Sequence, residues 1–499
     1  MDTSVILDGL WTALQPVNLL WLLFGAALGT IVGILPGLGA ATGVAVLIPL
    51  TFGMEPVSAL ILMAAIYYGA LFGGSRSSIL INTPGDGSSI AAAFDGYPMT
   101  KKGQAGQAMS IAAMASLIGG LIAIFGFIFL ALPLAKFALN FGPAEFLLLF
   151  LFALSAVVTL SQGNVVKGFL TMFLGLGIST VGIDLQSGVH RFTFDVPHLT
   201  DGINFIIIII GIYAIGEVLY NLINQSKQMD TGNKNIGSKW FTKDQWKRSL
   251  GPILRSGPIG FFLGVLPGSG GTIASLLAYS TEKQISKNKK EFGKGAVEGL
   301  VAPESANSAS AVGSMIPMLT MGIPGSGTTA VMLGALVMIG VTPGPLLFEN
   351  SPDMVWTLIN SMFIGNLILV VINIMMVGML VKVLKTPPNV LYPIVLILSF
   401  LGAYTLGYST IDFYILIIAG IFGLLLRVLN YPVVPMILAL IVGGDMEQNL
   451  QRATVIYGSP IEMLFASPIT IILAILTILS LLFPLIAKLL KQKKGQSTI

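Results

Sequence analysis

Long apolar stretches alternate with short polar ones along the whole chain. An apolar run over 17–35 ends in the break LPGLG (Leu35 to Gly39), and a shorter run over 43–53 ends near Glu55 and Pro56. Residues 57–73, rich in Ala, Tyr and Gly, lead into a polar stretch, GGSRSSILINTPGDGSSI, from Gly73 to Ile90, which reads as broken helix. Further helices are expected near 106–134, 144–160, 165–183 and 203–223. A crossing needs about 20 apolar residues. The chain therefore has room for roughly ten to fourteen, as an all-α polytopic membrane protein.

After a basic segment the pattern returns. GVLPGSG (Gly264 to Gly270) repeats GILPGLG (Gly33 to Gly39) at a displacement of 231 residues, and Pro324-Gly325-Ser326-Gly327 repeats Pro84-Gly85-Asp86-Gly87 at 240. Two breaks in one order at nearly constant displacement indicate an internal duplication. Its parts are a first repeat over 17–225, a basic cytoplasmic linker over 226–249 and a second repeat over 250–490. The basic loop 283–294 falls opposite Met54-Glu55-Pro56, which has no positive charge, and Lys101-Lys102 opposite Val341–Thr342, which has none either. Cytoplasmic loops are enriched in Lys and Arg, so each such loop of one half faces an uncharged or acidic loop of the other. Inverted-topology repeats produce that arrangement, with paired broken helices holding substrate near the midplane. It places the N-terminus outside and the linker and C-terminus inside.

Composition narrows the classes. Charged residues make up 10% of the chain against 55% hydrophobic ones, where soluble proteins carry about 25% charged. The net charge of +4 comes as short clusters beside apolar runs, which are topology signals and not nucleic-acid patches. The cysteine count is zero, which removes disulfides, thiolate catalysis and Cys-based metal sites. The N-terminus lacks the basic region and cleavage site of a signal peptide.

Candidate chemistry concentrates at the breaks. The stretch Ala302 to Thr328, APESANSASAVGSMIPMLTMGIPGSGT, carries Pro303 and Pro324, which remove donors, and Gly325 and Gly327, which permit non-helical turns. Lipid tolerates irregular backbone only where it is buried in protein or lines a cavity, and a new helix start after such a break attracts anions. The expected binding residues are Gly37, Gly39, Ser75, Arg76, Ser77, Ser78, Asn82, Thr83, Gly85 and Gly87 in the first half. Ser305, Asn307, Ser308, Gly325, Ser326, Gly327 and Thr328 are their counterparts in the second. Singly, Ser, Thr and Asn more often join helices, and Arg76 can equally snorkel to headgroups. Glu304 within membrane depth points to an ion, sodium or a proton, with Asn82, Glu304 and Asn307 as a possible sodium set. No GxSxG, HExxH or Walker-type motif occurs, and His190 and His198 lie in the polar loop 184–201. An enzyme is therefore disfavoured, and an anion-conducting pore is the nearer alternative.

Four long segments carry a family resemblance: NLLWLLFGAALGTIVGILPGLG (18–39), PLTFGMEPVSALILMAAIYYGALFGGS (49–75), ILINTPGDGSSIAAAFDGYPMTKKGQAGQA (79–108) and APESANSASAVGSMIPMLTMGIPGSG (302–327). The chain resembles the large membrane subunit of the tripartite tricarboxylate transporter family. The resemblance implies cation-driven uptake of small organic carboxylates across a bacterial inner membrane, with no cofactor beyond the coupling ion. It implies two partners, a small four-helix membrane subunit and an extracytoplasmic solute-binding protein, and an elevator-like motion. The chain departs from the family pattern at Ser308, where a second Asn is usual, and at Arg76 and TPGDGSS. These departures fall inside the expected site and bear on which acid it takes.

Overall fold

The computed structural model describes residues 3–35, 38–160, 164–184, 187–223, 238, 240–375 and 388–496. Gly37, most of the basic linker, Lys382 and Lys385 lie outside the described residues. The first half contains α1 (Thr3–Ala13), α2 (Pro16–Ile34), α3 (Ala40–Leu47), α4 (Pro56–Ile81), α5 (Ile90–Lys101), α6 (Ala105–Ala138), α7 (Pro143–Leu160) and α8 (Val165–Ser179). It closes with α9 (Phe205–Ile210) and α10 (Gly216–Ile223), joined by a π turn. The second half contains α11 (Lys243–Val265), α12 (Gly270–Ile285), α13 (Val297–Met321), α14 (Gly327–Met338), α15 (Leu347–Asn350) and α16 (Pro352–Met375). There follow α17 (Pro388–Gly407), α18 (Thr410–Val428), α19 (Val434–Tyr457), α20 (Pro460–Leu464) and α21 (Pro468–Gln496). Among the described residues eight helical spans are long and apolar enough to cross a membrane: α2, α4, α6, α7, α9 with α10, α16, α17 and α18. The protein is an all-α, multi-pass membrane protein.

Local chemistry sets the breaks. A residue before proline is pushed out of the α region. Leu35 before Pro36 and Leu266 before Pro267 accordingly end α2 and α11 in the same extended conformation, φ −78°, ψ 120° and φ −76°, ψ 124°. The second pair of breaks also matches. Asn82 ends α4 in the left-handed region at φ 57°, and Gly322 ends α13 there at φ 71°. Asp86 then caps the turn Gly87–Ser89, and Ser326 caps α14, each through a reciprocal capping box.

The packing repeats residue for residue. Gly29 and Gly33 of α2 lie against the carbonyls of Ile66 and Ala70 of α4, while Gly260 and Gly264 of α11 lie against those of Ala306 and Ser310 of α13. A side chain at any of the four would overlap a carbonyl, so small residues four apart are what allow these backbones to meet. Contacts rise in step along both chains, so each pair is parallel, with α3 or α12 returning between its members. Tyr67 meets Ser314, whereas Arg76, further along α4, meets the field of Glu304, earlier on α13. Hence α4 and α13 are antiparallel, and the two equivalent assemblies point in opposite directions.

Two expectations are corrected here. The polar stretch from Gly73 is helical as far as Ile81, and its break is confined to Asn82–Asp86. Likewise α13 runs unbroken through Pro303 and Pro317, and its break is confined to Gly322–Ser326. Every residue from Val297 to Thr320 is buried. The small and polar residues of α13 mark a helix enclosed by protein, which tolerates internal proline because its neighbours re-satisfy freed backbone groups.

The chain divides into two compact units, each drawing on both halves. One comprises Met1–Ala135, Ile206–Leu266 and Gly270–Leu424 and contains the paired assemblies. The other comprises Lys136–Phe205, Pro267–Ser269 and Leu425–Ile499. Within this second unit, α7 and α8 pack on α19, and Gly175 touches the carbonyl of Met436. Glu145 accepts from Gly142 N–H and the Ser467 hydroxyl at 3.0 and 2.7 Å. A short antiparallel pairing of Gly182–Ile183 with His190–Arg191 presents Arg191 to Glu447, which it grips through two hydrogen bonds of 2.6 and 3.1 Å.

Candidate functional site

The first unit brings its breaks together crosswise. The start of α12 packs on the Gly87–Ser89 turn, and α3 packs on α14, so the returning helix of each half meets the second break of the other. Gly39, which caps α3, stands beside Asp86: a Cβ built on it would come 3.1 Å from that of Asp86. A Cβ on Gly87 would meet the Thr272 hydroxyl at 2.6 Å, and one on Gly270 would meet Ser326 at 3.8 Å. Gly85 and Gly325 are equivalent: the first fits between the Gly33 carbonyl and Gly74, the second between the Gly264 carbonyl and Ser314.

Polar side chains face this junction. Asn307 is 3% exposed, and its Oδ1 has no hydrogen-bond partner. That oxygen is crowded against Gly271, near Ser88 and Ser310. Tyr67 lies at the position on α4 equivalent to Asn307, 240 residues earlier. Its hydroxyl sits 3.4 Å from both Ser314 and Ser326. The two tips differ in charge. The Asp86 carboxylate accepts the N–H groups of Ser88 and Ser89 at 3.1 and 3.2 Å, occupying its own helix start. At the equivalent place Ser326 offers a neutral hydroxyl to Thr329 N–H at 3.2 Å. Only the second tip keeps the positive end of its helix uncompensated.

A separate polar cluster lies deeper on α4 and α13. Arg76 is fully buried, its Nε donating to Asn373 Oδ1 on α16 at 3.2 Å while Nη1 and Nη2 have no hydrogen-bond partner. Its guanidinium lies over the Phe72 ring, 5.6 Å from the centroid. Glu304, 2% exposed, accepts from the Ser116 hydroxyl of α6 at 3.0 Å and interacts electrostatically with Arg76 and Asp86. The Ser78 hydroxyl is buried without a partner, and the buried Ser75 faces the Glu304 carboxylate.

Other sequence-expected residues have local duties. Ser77 donates to the Gly74 carbonyl and Thr83 to that of Ile81. Ser305 donates to the Ile253 carbonyl at 3.0 Å, joining α13 to α11. Asn82 is exposed at its left-handed cap, apart in character from the buried Glu304 and Asn307 with which it was grouped. Ser308 and Thr328 are buried, and Gly327 opens α14. Sequence reasoning missed Tyr67, Thr272, Ser116 and Asn373. For Tyr67 the signal was available, since the 240-residue displacement leads to it from Asn307.

Comparisons with known proteins agree with one another. Residues 19–438 match the sequence model described as the tripartite tricarboxylate transporter TctA family. The chain is 41% identical over 461 residues, 92% of each chain, to the "Uncharacterized 52.8 kDa protein in TAR-I ttuC' 3'region" of Agrobacterium vitis. It is 41% identical over 210 residues, 42% of this chain and 87% of the relative, to the "Uncharacterized protein in TAR-II ttuC' 3'region" of the same organism. No solved structure matches. The family is one of transporters, not enzymes. By a match that spans most of its length, the chain belongs to the tripartite tricarboxylate transporter TctA family.

Proposed function

We propose that this protein is the membrane-embedded carrier of a binding-protein-dependent secondary transporter that imports small organic carboxylates down a cation gradient. The observation that carries the reading is the crossed meeting of two oppositely directed broken helices, with the unpartnered Asn307 oxygen and the Tyr67 and Ser326 hydroxyls beside it. Broken helices paired in inverted repeats are the usual means of holding a charged solute at the midplane. The acid binds at the second tip, where the start of α14 lacks a carboxylate of its own, and Asp86 fends it off the first. Gly39, Gly85, Gly87, Gly325, Ser326, Gly327 and Thr328 shape the backbone around it. A cation, sodium or a proton, is held by Glu304 and Asn307, with Asn82 at the rim. Repeats over 17–225 and 250–490 flank a cytoplasmic linker, in a bacterial inner membrane with the N-terminus outside. A small four-helix membrane subunit and an extracytoplasmic solute-binding protein complete the system.

The test is uptake of labelled di- and tricarboxylates by cells expressing the chain with its neighbouring membrane and binding-protein subunits, with and without imposed gradients. Concentrative, saturable uptake of one acid is expected, and Asn307→Ala abolishes it while membrane insertion is retained. Uptake that only equilibrates whatever the gradient sinks the carrier reading in favour of an anion pore.

A further inference from the structure

The start of α12 stands where the two tips meet. Its first residue, Gly270, lies beside Ser326 of the second tip, and its third, Thr272, beside Gly87 of the first. A helix of 16 residues brings a positive end to the junction, and anions settle at such ends. The equivalent helix start in the first half is already served: Gly39, the cap of α3, stands beside the carboxylate-bearing Asp86. Gly270 and Gly271 have no side chains, so a ligand arriving at α12 meets backbone. Gly271 has no room for one. A Cβ there would run into Asn307 Oδ1 and come 2.9 Å from the Ser88 Cβ and 3.3 Å from the Ser310 hydroxyl. Asn307 supplies an independent observation. Its amide oxygen is buried, points at this second residue of α12 and has no hydrogen-bond partner. The two hydroxyls closest by are committed elsewhere: Ser310 donates to the Asn307 backbone carbonyl at 2.9 Å, and Ser88 to Asp86 Oδ1 at 2.7 Å. A buried acceptor left unpaired is costly, and a bound donor relieves it. A carboxylate brings no donor. The junction thus sets a helix start that favours a carboxylate beside an acceptor that lacks a hydroxyl.

We infer that Asn307 selects 2-hydroxy acids: one carboxylate lies on the start of α12, and the hydroxyl on the adjoining carbon donates to Asn307 Oδ1. Resting on the carboxylate-transport reading above, this names the substrate class within it. A second carboxylate of the same acid goes to the start of α14, which the approach of Gly270 to Ser326 places alongside. An amide oxygen has two lone pairs, so accepting the hydroxyl leaves one for the cation. A deoxy acid fills the same helix ends but leaves Oδ1 unpaired, and a site built to bond a hydroxyl rejects the analogue that lacks it. A 2-keto acid fails likewise, because its carbonyl only accepts. The selection belongs to the second half alone. At the equivalent position of the first half stands Tyr67, whose hydroxyl already lies 3.4 Å from Ser314 and Ser326.

The test measures binding, because Asn307→Ala is expected to abolish uptake of every acid. The full chain is purified in detergent with its co-expressed small membrane subunit and without the solute-binding protein, whose own preference would otherwise enter. Calorimetric titration compares malate with succinate, citrate with tricarballylate, and 2-hydroxyglutarate with 2-oxoglutarate. Each pair shares its carboxylates and differs in the one donor. In the pair that wild type binds best, the hydroxy acid has a Kd at least about tenfold below that of its partner. In Asn307→Ala this ratio falls to about one through weaker binding of the hydroxy acid, while the Kd of the other acid stays within about twofold. The wild-type ratio requires no variant, so the test stands even where Asn307→Ala folds poorly. A wild-type ratio near one, or a ratio that survives Asn307→Ala, overturns the inference while leaving carboxylate transport standing. A wild type that binds none of these acids also overturns it. If the assembled transporter then moves none of them either, the carboxylate-transport reading falls as well.

Discussion

Asp86 and Ser326 occupy one position in two copies of the same turn and differ by a full charge. Both are good helix caps, so Asp86→Ser is expected to change thermal stability by less than about 0.5 kcal/mol. Its effect on transport is the larger one. Removing a fixed negative charge near the tips lowers the apparent KM for the acid by about fivefold, the roughly 1 kcal/mol scale of a unit charge at a few ångströms under screening. An unchanged KM in an uptake titration would remove Asp86 from the site. Asp95 acts on structure instead. Fully buried, it ties α5 to the start of α13 through Gly295 N–H and Ala296 N–H, both at 2.8 Å, and to α12 through Tyr279 at 3.1 Å. Asp95→Ala strands two N–H donors and is expected to destabilise the protein by about 2–4 kcal/mol, whereas Tyr279→Phe costs about 1. A fluorescence-detected thermal shift of the purified variants ranks the two. Neither Asp95 nor Asn373 stood out in the sequence, because nothing local tells a buried acid or amide from a solvated one.

At the scale of elements, the breaks were legible because proline and glycine act locally. The LPGLG and LPGSG turns follow from the pre-proline restriction alone, and the two Pro-Gly tips from their composition. What the residues between them do was harder to read. Ser75 to Ser78 and Ser305 to Ser308 looked like broken backbone and are helix. Their polarity reflects burial against other helices, which depends on partners hundreds of residues away. The glycines of α2 and α11 show the same limit: GxxxG spacing was visible, but not that Gly264 meets the Ser310 carbonyl as Gly33 meets that of Ala70. Because a Cβ there overlaps backbone and cannot be relieved by rotating a side chain, Gly264→Ala is expected to cost about 1–3 kcal/mol. Gly177→Ala, with nothing within 4 Å of its built Cβ, serves as the neutral control. Equal melting temperatures for the two variants would contradict the packing.

For the whole molecule, the displacement of 231 to 240 residues tells more than any single motif. It pairs Leu35 with Leu266, Asn82 with Gly322 and Asp86 with Ser326, each in the same backbone conformation. It did not foretell that each compact unit would take segments from both halves, since that grouping is set by packing between distant segments. Antiparallel α4 and α13 require equivalent loops of the two halves to emerge on opposite sides of a membrane. The enrichment of Lys and Arg in cytoplasmic loops predicts which side is which: Lys287, Lys289, Lys290 and Lys294 lie between α12 and α13, beside Lys283 in the last turn of α12, while Glu349 lies in α15 and Asp353 in the first turn of α16. The native chain has no cysteine, so single replacements report without background. In intact cells, Glu55→Cys, in the first-half loop equivalent to that of Lys289, is expected to react with a membrane-impermeant maleimide, and Lys289→Cys only after permeabilisation; both positions are exposed. Labelling of both from one side would mean that the equivalent assemblies share an orientation. That would contradict the antiparallel crossing of α4 and α13, and with it the inverted-repeat reading on which the placement of the site depends.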